Sequence, residues 1–352
     1  MTILDLPTPF LTVDLDAVDR NIERMQRYCD KHEIALRPHV KTHKMPLIAH
    51  RQLGAGARGI ACQKLGEAEV MADHGLDDIL ITFPLVGGEK VERFAALAAR
   101  VRVAVAADSE VAANGLSAAL AARGCSAGFL VECDTGFGRT GVQSPTEAAD
   151  LAERVVELPG LEFEGLMTHP ALPESGPWLR EARRQVEQRG LAIRCVSGGG
   201  TPDAFLLHES GVFTELRAGT YVYGDRRLAA TGVMALEDCA LRVIATVVSR
   251  PTPDRAIVDA GSKTLTSDFP PGLGDAAYGH VVEYPDAIVR HLSEEHGNVD
   301  LTNCDCRPEI GELVTIIPNH ACGAVNLHDE VALHHGGRRV ELATIPARGR
   351  VR

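Results

Sequence analysis

Eight short apolar segments recur through the first two-thirds of the chain, each followed by a helical or turn-like stretch. That count narrows the available folds more than any other feature. The segments lie at 35–40, 58–62, 79–82, 101–106, 128–133, 162–167, 193–197 and 213–217. Short continuous apolar runs suit strands buried on both faces. The intervening stretches at 65–74, 89–99, 109–122, 146–157 and 178–189 are rich in Ala, Leu, Glu and Arg, which predicts helices. Asp16 to His32 predicts another, with Val18, Ile22, Met25 and Cys29 on one stripe. Eight strands alternating with helices is the count of a closed parallel barrel, an α/β fold of the (β/α)8 TIM type. A doubly wound open sheet is the alternative, and it normally uses fewer strands.

The pattern changes after about residue 230. Runs at 238–249, 255–259, 279–284, 312–317 and 331–342 are apolar and β-branched, with no long helical pattern between them. They predict a separate C-terminal β domain, which places the domains at 1–230 and 231–352. The 352-residue length accommodates two domains, and no internal repeat or low-complexity tract interrupts them.

A formal net charge of −12 disfavours nucleic acid and anionic membranes as partners, although a local pocket can still be positive. No run of 18 or more apolar residues is present, and Met1 to Phe10 lacks a basic region followed by an apolar one. Nine cysteines at irregular positions do not form a disulfide framework. A cytoplasmic chain with reduced thiols is the expectation.

Five segments carry the chemistry. Arg37-Pro38-His39-Val40-Lys41-Thr42-His43-Lys44 crowds basic residues at the end of the first barrel strand. The C-terminal strand ends form the active face of such barrels, and like-charge crowding favours the neutral amine that attacks a carbonyl. A solvated basic loop would read the same way from composition. Ser197-Gly198-Gly199-Gly200-Thr201-Pro202 follows the seventh strand, where glycines let backbone N–H groups converge on an anion and a following helix adds its positive end. Asp134-Thr135-Gly136-Phe137-Gly138-Arg139-Thr140-Gly141 follows the fifth strand, and Leu216-Arg217-Ala218-Gly219-Thr220-Tyr221 the eighth. Each could be an ordinary loop, but all four fall at one rim. The fifth segment is Pro318-Asn319-His320-Ala321-Cys322. Residues two apart on a strand point the same way, so His320 and Cys322 could share a metal. A buried cysteine beside a structural histidine is the competing reading. Cys304 and Cys306 share the spacing but lie in a polar loop and read as incidental thiols.

Together these motifs resemble the D-threonine aldolase and D-serine dehydratase family, within the alanine-racemase fold type. The resemblance runs from Thr8-Pro9-Phe10-Leu11-Thr12-Val13-Asp14-Leu15-Asp16 to the Pro318–Cys322 segment, essentially the whole chain. It implies a pyridoxal 5'-phosphate (PLP) enzyme in which Lys41 is the Schiff-base lysine. The implied catalytic set is Lys41, His39, Arg139 and His169. Arg139 matches the arginine that approaches the PLP phenolic oxygen, Arg217 the one under the pyridine nitrogen, and His169 a position that supports it. Ser197, Gly199, Gly200, Thr201, Gly219, Thr220 and Tyr221 complete the implied cofactor set. The family's metal pair falls on His320 and Cys322, implying zinc or manganese, with magnesium or cobalt as further options. One departure is the short stretch Ala171 to Pro177 after His169, where the family's lyases carry a longer loop.

The resemblance implies a homodimeric lyase acting on small D-β-hydroxy amino acids. Retro-aldol cleavage to glycine and an aldehyde is the first reading, and dehydration of D-serine or D-3-hydroxyaspartate the second. An amino acid racemase would need a second base, for which Tyr278 is a candidate, and would have no use for the metal pair. A non-catalytic PLP-homeostasis protein would lack a second domain.

Overall fold

The computed structural model describes residues 5–269, 273 and 277–352. Its strands are β1 (Phe10–Asp14), β2 (Ala35–Leu36), β3 (Ile60–Cys62), β4 (Asp78–Ile81), β5 (Arg102–Ala107), β6 (Ala127–Cys133), β7 (Leu161–Thr168), β8 (Cys195–Gly199) and β9 (Glu215–Arg217), followed by β10 (Leu241–Thr252), β11 (Arg255–Val258), β12 (His280–Val281), β13 (Ile288–Leu292), β14 (Gly297–Asp300), β15 (Leu313–Ile317), β16 (Glu330–His335) and β17 (Arg338–Thr344). The chain forms two compact units. One is Arg24–Gly219 with Gly349–Arg352, the other Met1–Glu23 with Thr220–Arg348.

The first unit holds β2 to β9 as a parallel sheet in the order β2-β9-β8-β7-β6-β5-β4-β3. Its ends meet. His39 bridges Ala61 in parallel register, Val40 N–H donates to Ala61 O at 2.9 Å, and Ala61 N–H donates to Pro38 O at 2.8 Å. Pro38 has no N–H to give, so this seam is paired only in part. The result is the expected closed barrel, with all eight anticipated strands present. Helices α1 (Leu15–Lys31), α2 (Pro46–Gly54), α3 (Leu65–Asp73), α4 (Gly88–Ala98), α5 (Glu110–Arg123), α6 (Pro145–Val156) and α7 (Gly176–Gln188) accompany them. Val18, Ile22, Met25 and Cys29 of α1 are all buried, as their spacing predicts. Among the described residues no helix is long and apolar enough to cross a membrane.

Inside the barrel, Leu80, Ala104, Ala106, Leu130, Met167 and Cys195 form an apolar layer. Below it, toward the strand starts, lies an ionic layer. Arg37 Nε donates to Glu215 at 2.8 Å and its Nη1 to Asp78 at 2.7 Å. Arg102 joins Asp78 and Glu164, each at 2.8 Å. Burial pushes the Glu215 carboxyl up, but Arg37, Ser197 and Arg217 together outweigh it and hold the group below the ordinary range. Removing one member of such a buried pair strands the other charge. Glu215→Ala is therefore expected to lower unfolding free energy by about 3–5 kcal/mol in urea titrations. A loss below about 1 kcal/mol, the scale of an exposed pair, would contradict the role assigned to this layer.

The second unit is antiparallel apart from one parallel pairing, β1 with β16. Its nine strands run β11-β14-β13-β12-β15-β10-β1-β16-β17, and β11 also pairs with β10, closing six of them into a small barrel. The two compact units divide after Gly219, and the described residues up to Glu23 group with the second. The reason is long-range pairing: β1 aligns Phe10 with Ile244 and Val13 with Leu241 on β10, and Thr12 with Ala332 on β16.

Candidate active site

Lys41 follows the seam that closes the barrel, and its side chain is half-buried. His39 underpins it. The Lys41 backbone N–H points at His39 Nδ1 at 3.4 Å, while His39 Nε2 lies 3.0 Å from Thr82 Oγ1. Burial, then the charges of Lys41 and Arg217, push the His39 imidazole well below its ordinary pKa, so it is neutral at neutral pH. Lys44 is placed differently. It is buried, and its Nζ is 3.1 Å from Glu67, whose other oxygen accepts the Gln63 and Lys64 N–H groups.

Arg217 ends β9 fully inside the barrel. Its Nη1 donates to Ser197 Oγ at 2.5 Å and its Nη2 to the Thr168 carbonyl at 2.9 Å. Ser197 in turn donates to Glu215 at 2.7 Å. A continuous chain thus runs from Arg37 through Glu215 and Ser197 to Arg217. Burial pushes the guanidinium down to about 10, which still leaves it charged at neutral pH. His169 is beside it: a Cβ placed on Gly199 would lie 2.9 Å from Arg217 Nη2 and 3.2 Å from His169 Nδ1. Burial, followed by Lys41, Arg139 and Arg217, pushes His169 down to about 3. The rim therefore gathers three cations around two neutral imidazoles, an electropositive pocket on an acidic protein.

Arg139 lies in an exposed loop that is firmly held. Asp134 Oδ1 accepts the N–H groups of Gly136, Phe137 and Gly138, and Gly141 N–H reaches Asp108 at 2.8 Å. Phe137 packs edge-on against His169, with ring centroids 5.8 Å apart. Beneath the loop, Glu132 accepts from Thr140 Oγ1 at 2.8 Å, and Arg139 Nη2 lies 4.0 Å from the same oxygen. The other Glu132 oxygen is buried with no partner among the described residues, and burial raises this carboxyl.

On the glycine-rich side, two expectations are corrected. No α-helix follows Gly200; the segment Ala204–Ser210 is a short 3-10 turn, so its dipole adds little. Gly200 N–H already donates to the Arg217 carbonyl at 3.2 Å, and its φ of +123° shows why glycine is needed there. Thr201 Oγ1 accepts the Gly219 N–H at 3.3 Å, joining the two loops. A Cβ on Gly219 would meet Thr42 Oγ1 at 2.9 Å and the His39 carbonyl at 3.0 Å. Gly219→Val is thus expected to displace the 39–42 segment that carries Lys41. Equilibrium dialysis should show PLP affinity falling roughly tenfold or more, given an overpacking cost of about 1–3 kcal/mol. Wild-type affinity would mean that this close approach does not position Lys41.

In the second unit, Thr220 and Tyr221 occupy a 3-10 turn, with Tyr221 buried. Tyr278 meets Phe269 edge-on. His320 and Cys322 do not lie on a strand, which corrects the alternation argument. β15 ends at Ile317, His320 is the N-cap of a short helix Ala321–Val325, and Cys322 sits in its first turn. Asp225 fixes that turn by accepting the Ala321 N–H at 3.1 Å. The two side chains still meet. A hydrogen bond to Cys322, with further support from Asp268, raises the His320 imidazole to about 9. His320 Nδ1 lies 2.7 Å from Asp268 Oδ2, and Thr220 Oγ1 is 3.7 Å from Cys322 Sγ. Among the described residues no cluster of three or more His, Cys, Asp or Glu side chains is set to enclose a metal. The arrangement fits an open site instead: imidazole and thiolate donors suit a borderline ion such as zinc, with a carboxylate behind the imidazole. The barrel rim likewise fits an anionic cofactor, having open space beside Gly200, where a Cβ would come no nearer than 3.9 Å to His169, and Lys41 amid cations.

The chain matches the family model described as alanine racemase, N-terminal domain, over residues 13–227. It belongs to that family. Residues 240–334 match a second model, a putative serine dehydratase domain. A D-threonine aldolase from Arthrobacter sp is 35% identical over 97% of this chain and 93% of its own length. A D-threo-3-hydroxyaspartate dehydratase from Delftia sp. (strain HT23) is 32% identical, covering 91% and 92%. The crystal structure of D-threonine aldolase from Filomicrobium marinum superposes with a TM-score of 0.90 at 34% identity, covering 100% and 98%. A variant D-threo-3-hydroxyaspartate dehydratase, solved in a metal-free form, gives 0.88 at 29% identity, covering 98% of each chain. The resemblance to D-threonine aldolases and D-serine dehydratases therefore holds over both units of this alanine-racemase-family chain.

Sequence reasoning missed Glu132, Thr168, Glu215 and Asp268. Glu215 was within reach, because it precedes Arg217 by two on one strand and so shares its inward face. Asp268 lies 52 residues from His320, and no local pattern ties them.

Proposed function

We propose that the protein is a PLP- and divalent-metal-dependent lyase acting on D-configured β-hydroxy amino acids, cleaving the Cα–Cβ bond to give glycine and an aldehyde. The observation that carries this reading is the Asp268–His320–Cys322 array, present in the same chain as the Lys41 rim. A racemase has no use for it. Lys41 would hold PLP covalently, Arg139 and Arg217 would hold its anionic and ring-nitrogen sides, and His320 with Cys322 would hold the metal. When bound, PLP supplies an electron sink for the electrons of the broken bond, and the metal a Lewis acid for the substrate β-oxygen.

The chain's own residues supply the rest. Lys41 Nζ, once displaced by the substrate amine, would deliver a proton to Cα after Cα–Cβ cleavage, balancing the proton that the β-hydroxyl gives up as the aldehyde forms, while the original α-hydrogen stays in place. Arg217, anchored through Ser197 and Glu215, keeps a permanent charge inside the barrel. His169 and His39 stay neutral and add no competing charge. The names of the relatives support both the D configuration and the β-hydroxyl.

Dehydration is the second reading, supported by the similarity to D-threo-3-hydroxyaspartate dehydratase. The same residues serve, with Lys41 Nζ removing the α-proton and the β-hydroxyl leaving as water. Product analysis with D-threonine, D-phenylserine and D-3-hydroxyaspartate separates them. Glycine plus aldehyde is the expected outcome. Keto acid plus ammonia would replace aldol cleavage with dehydration, and neither product set would overturn the lyase reading.

A further inference from the structure

The carboxylate behind His320 is held more deliberately than a chance neighbour would be. Asp268 Oδ2 lies 2.7 Å from His320 Nδ1. Three local features put it there. Thr266 has a φ of +67°, a left-handed conformation that a β-branched residue rarely adopts, and its hydroxyl accepts the Asp268 N–H at 3.2 Å. Asn319, next to His320, donates to the Asp268 carbonyl at 3.3 Å and to the Ala277 carbonyl at 2.8 Å. Gly323 leaves the opening: a Cβ there would lie 2.9 Å from both Asp268 Oδ2 and Thr266 Oγ1.

These features converge on one atom pair. The turn at Thr266 aims the carboxylate, Asn319 ties its backbone to the segment bearing His320, and the glycine lets the loop close on the helix. Asp268 is not placed to be a third ligand, because the oxygen that approaches is spent on the imidazole. A carboxylate in that position fixes the ring tautomer and orientation and raises the donor strength of the opposite nitrogen.

We propose that Asp268 is the positioning residue of the metal centre, taking the Nδ1 hydrogen of His320 so that the other ring nitrogen faces the ion shared with Cys322. This rests on the reading of His320 and Cys322 as the metal pair. It gives Asp268 no contact with substrate. Its effect is on how tightly the ion is held, and only through that on turnover.

The test is zinc binding by calorimetry to PLP-loaded, chelator-stripped protein, in wild type, Asp268→Ala, Asp268→Glu and His320→Ala. Asp268→Ala should weaken zinc binding by about 10- to 100-fold, the usual effect of losing such a partner. Asp268→Glu should recover part of that loss. The melting temperature of the metal-free protein and the visible PLP absorbance should match wild type, because the Asp268–His320 pair is half-exposed. Zinc affinity within threefold of wild type in Asp268→Ala would overturn the proposal. So would a fall in metal-free melting temperature that accounts for the loss, since Asp268 would then be structural. If His320→Ala abolishes zinc binding while Asp268→Ala does not, the positioning role alone has failed. If His320→Ala binds zinc as wild type does, the metal-pair reading has failed with it.

Discussion

Lys41→Ala is expected to lose the covalent PLP adduct and to reduce turnover by at least about 10³-fold, as removal of a covalent-catalysis residue does. Two lysines compete for the role in the segment Arg37 to Lys44. Their surroundings separate them. Lys44 is buried, and its ammonium is committed to Glu67 at 3.1 Å. Lys41 is half-buried at the active rim, and its charge is felt by both His39 and His169. An amine that must release and recapture a cofactor each cycle belongs in the second environment. Lys44→Met should accordingly behave in the opposite way. It leaves Glu67 buried without a counter-charge and should destabilise the fold by about 3–5 kcal/mol, yet the adduct should still form. Borohydride reduction followed by peptide mapping reads this directly. Reduced PLP on Lys44, or a normal visible band in Lys41→Ala, would reverse the assignment.

The second large effect concerns the metal pair. His320→Ala and Cys322→Ala should each lower lyase turnover by more than about 10²-fold, the scale of losing Lewis-acid stabilisation worth several kcal/mol. The visible PLP absorbance should remain. His320 and Cys322 sit at the start of the helix Ala321–Val325, fixed by Asp225, whereas Lys41, Arg139 and Arg217 belong to the barrel unit. Truncating either donor removes an ion-binding group without touching the residues assigned to the cofactor. Chelation of wild-type protein should reproduce the loss, and added zinc or manganese should reverse it. Full turnover in metal-free protein would remove the metal from the mechanism and favour racemisation.

Much of the fold was legible because barrel strands are buried on both faces. Runs such as the apolar Val103–Ala107 part of β5 announce themselves by continuous apolarity, and α1 by its stripe. What was hidden depends on distant partners. β1 was not anticipated as a strand, and it pairs with strands more than 200 residues away. β13 and β14 carry Arg290, His291, Asn298 and Asp300 on a partly exposed face, so apolar runs do not mark them. The closeness of His320 and Cys322 was anticipated for an incomplete reason: they do not alternate on a strand, and an N-cap followed by a helical turn brings the side chains together. The same spacing at Cys304 and Cys306 carries no histidine. The barrel-rim residues were legible as motifs because each sits at a strand end. The anchors behind them, Glu215 for Arg217 and Glu132 under Arg139, required the inward faces of the strands to be read as well.

The most direct test of the account is to offer D-threonine and L-threonine separately to PLP-loaded protein, with and without chelator, and to measure glycine and acetaldehyde. The account predicts equal amounts of both products from D-threonine only, abolished by chelator and restored by zinc or manganese. Comparable turnover of the two enantiomers, or product formation that survives metal removal, would contradict it.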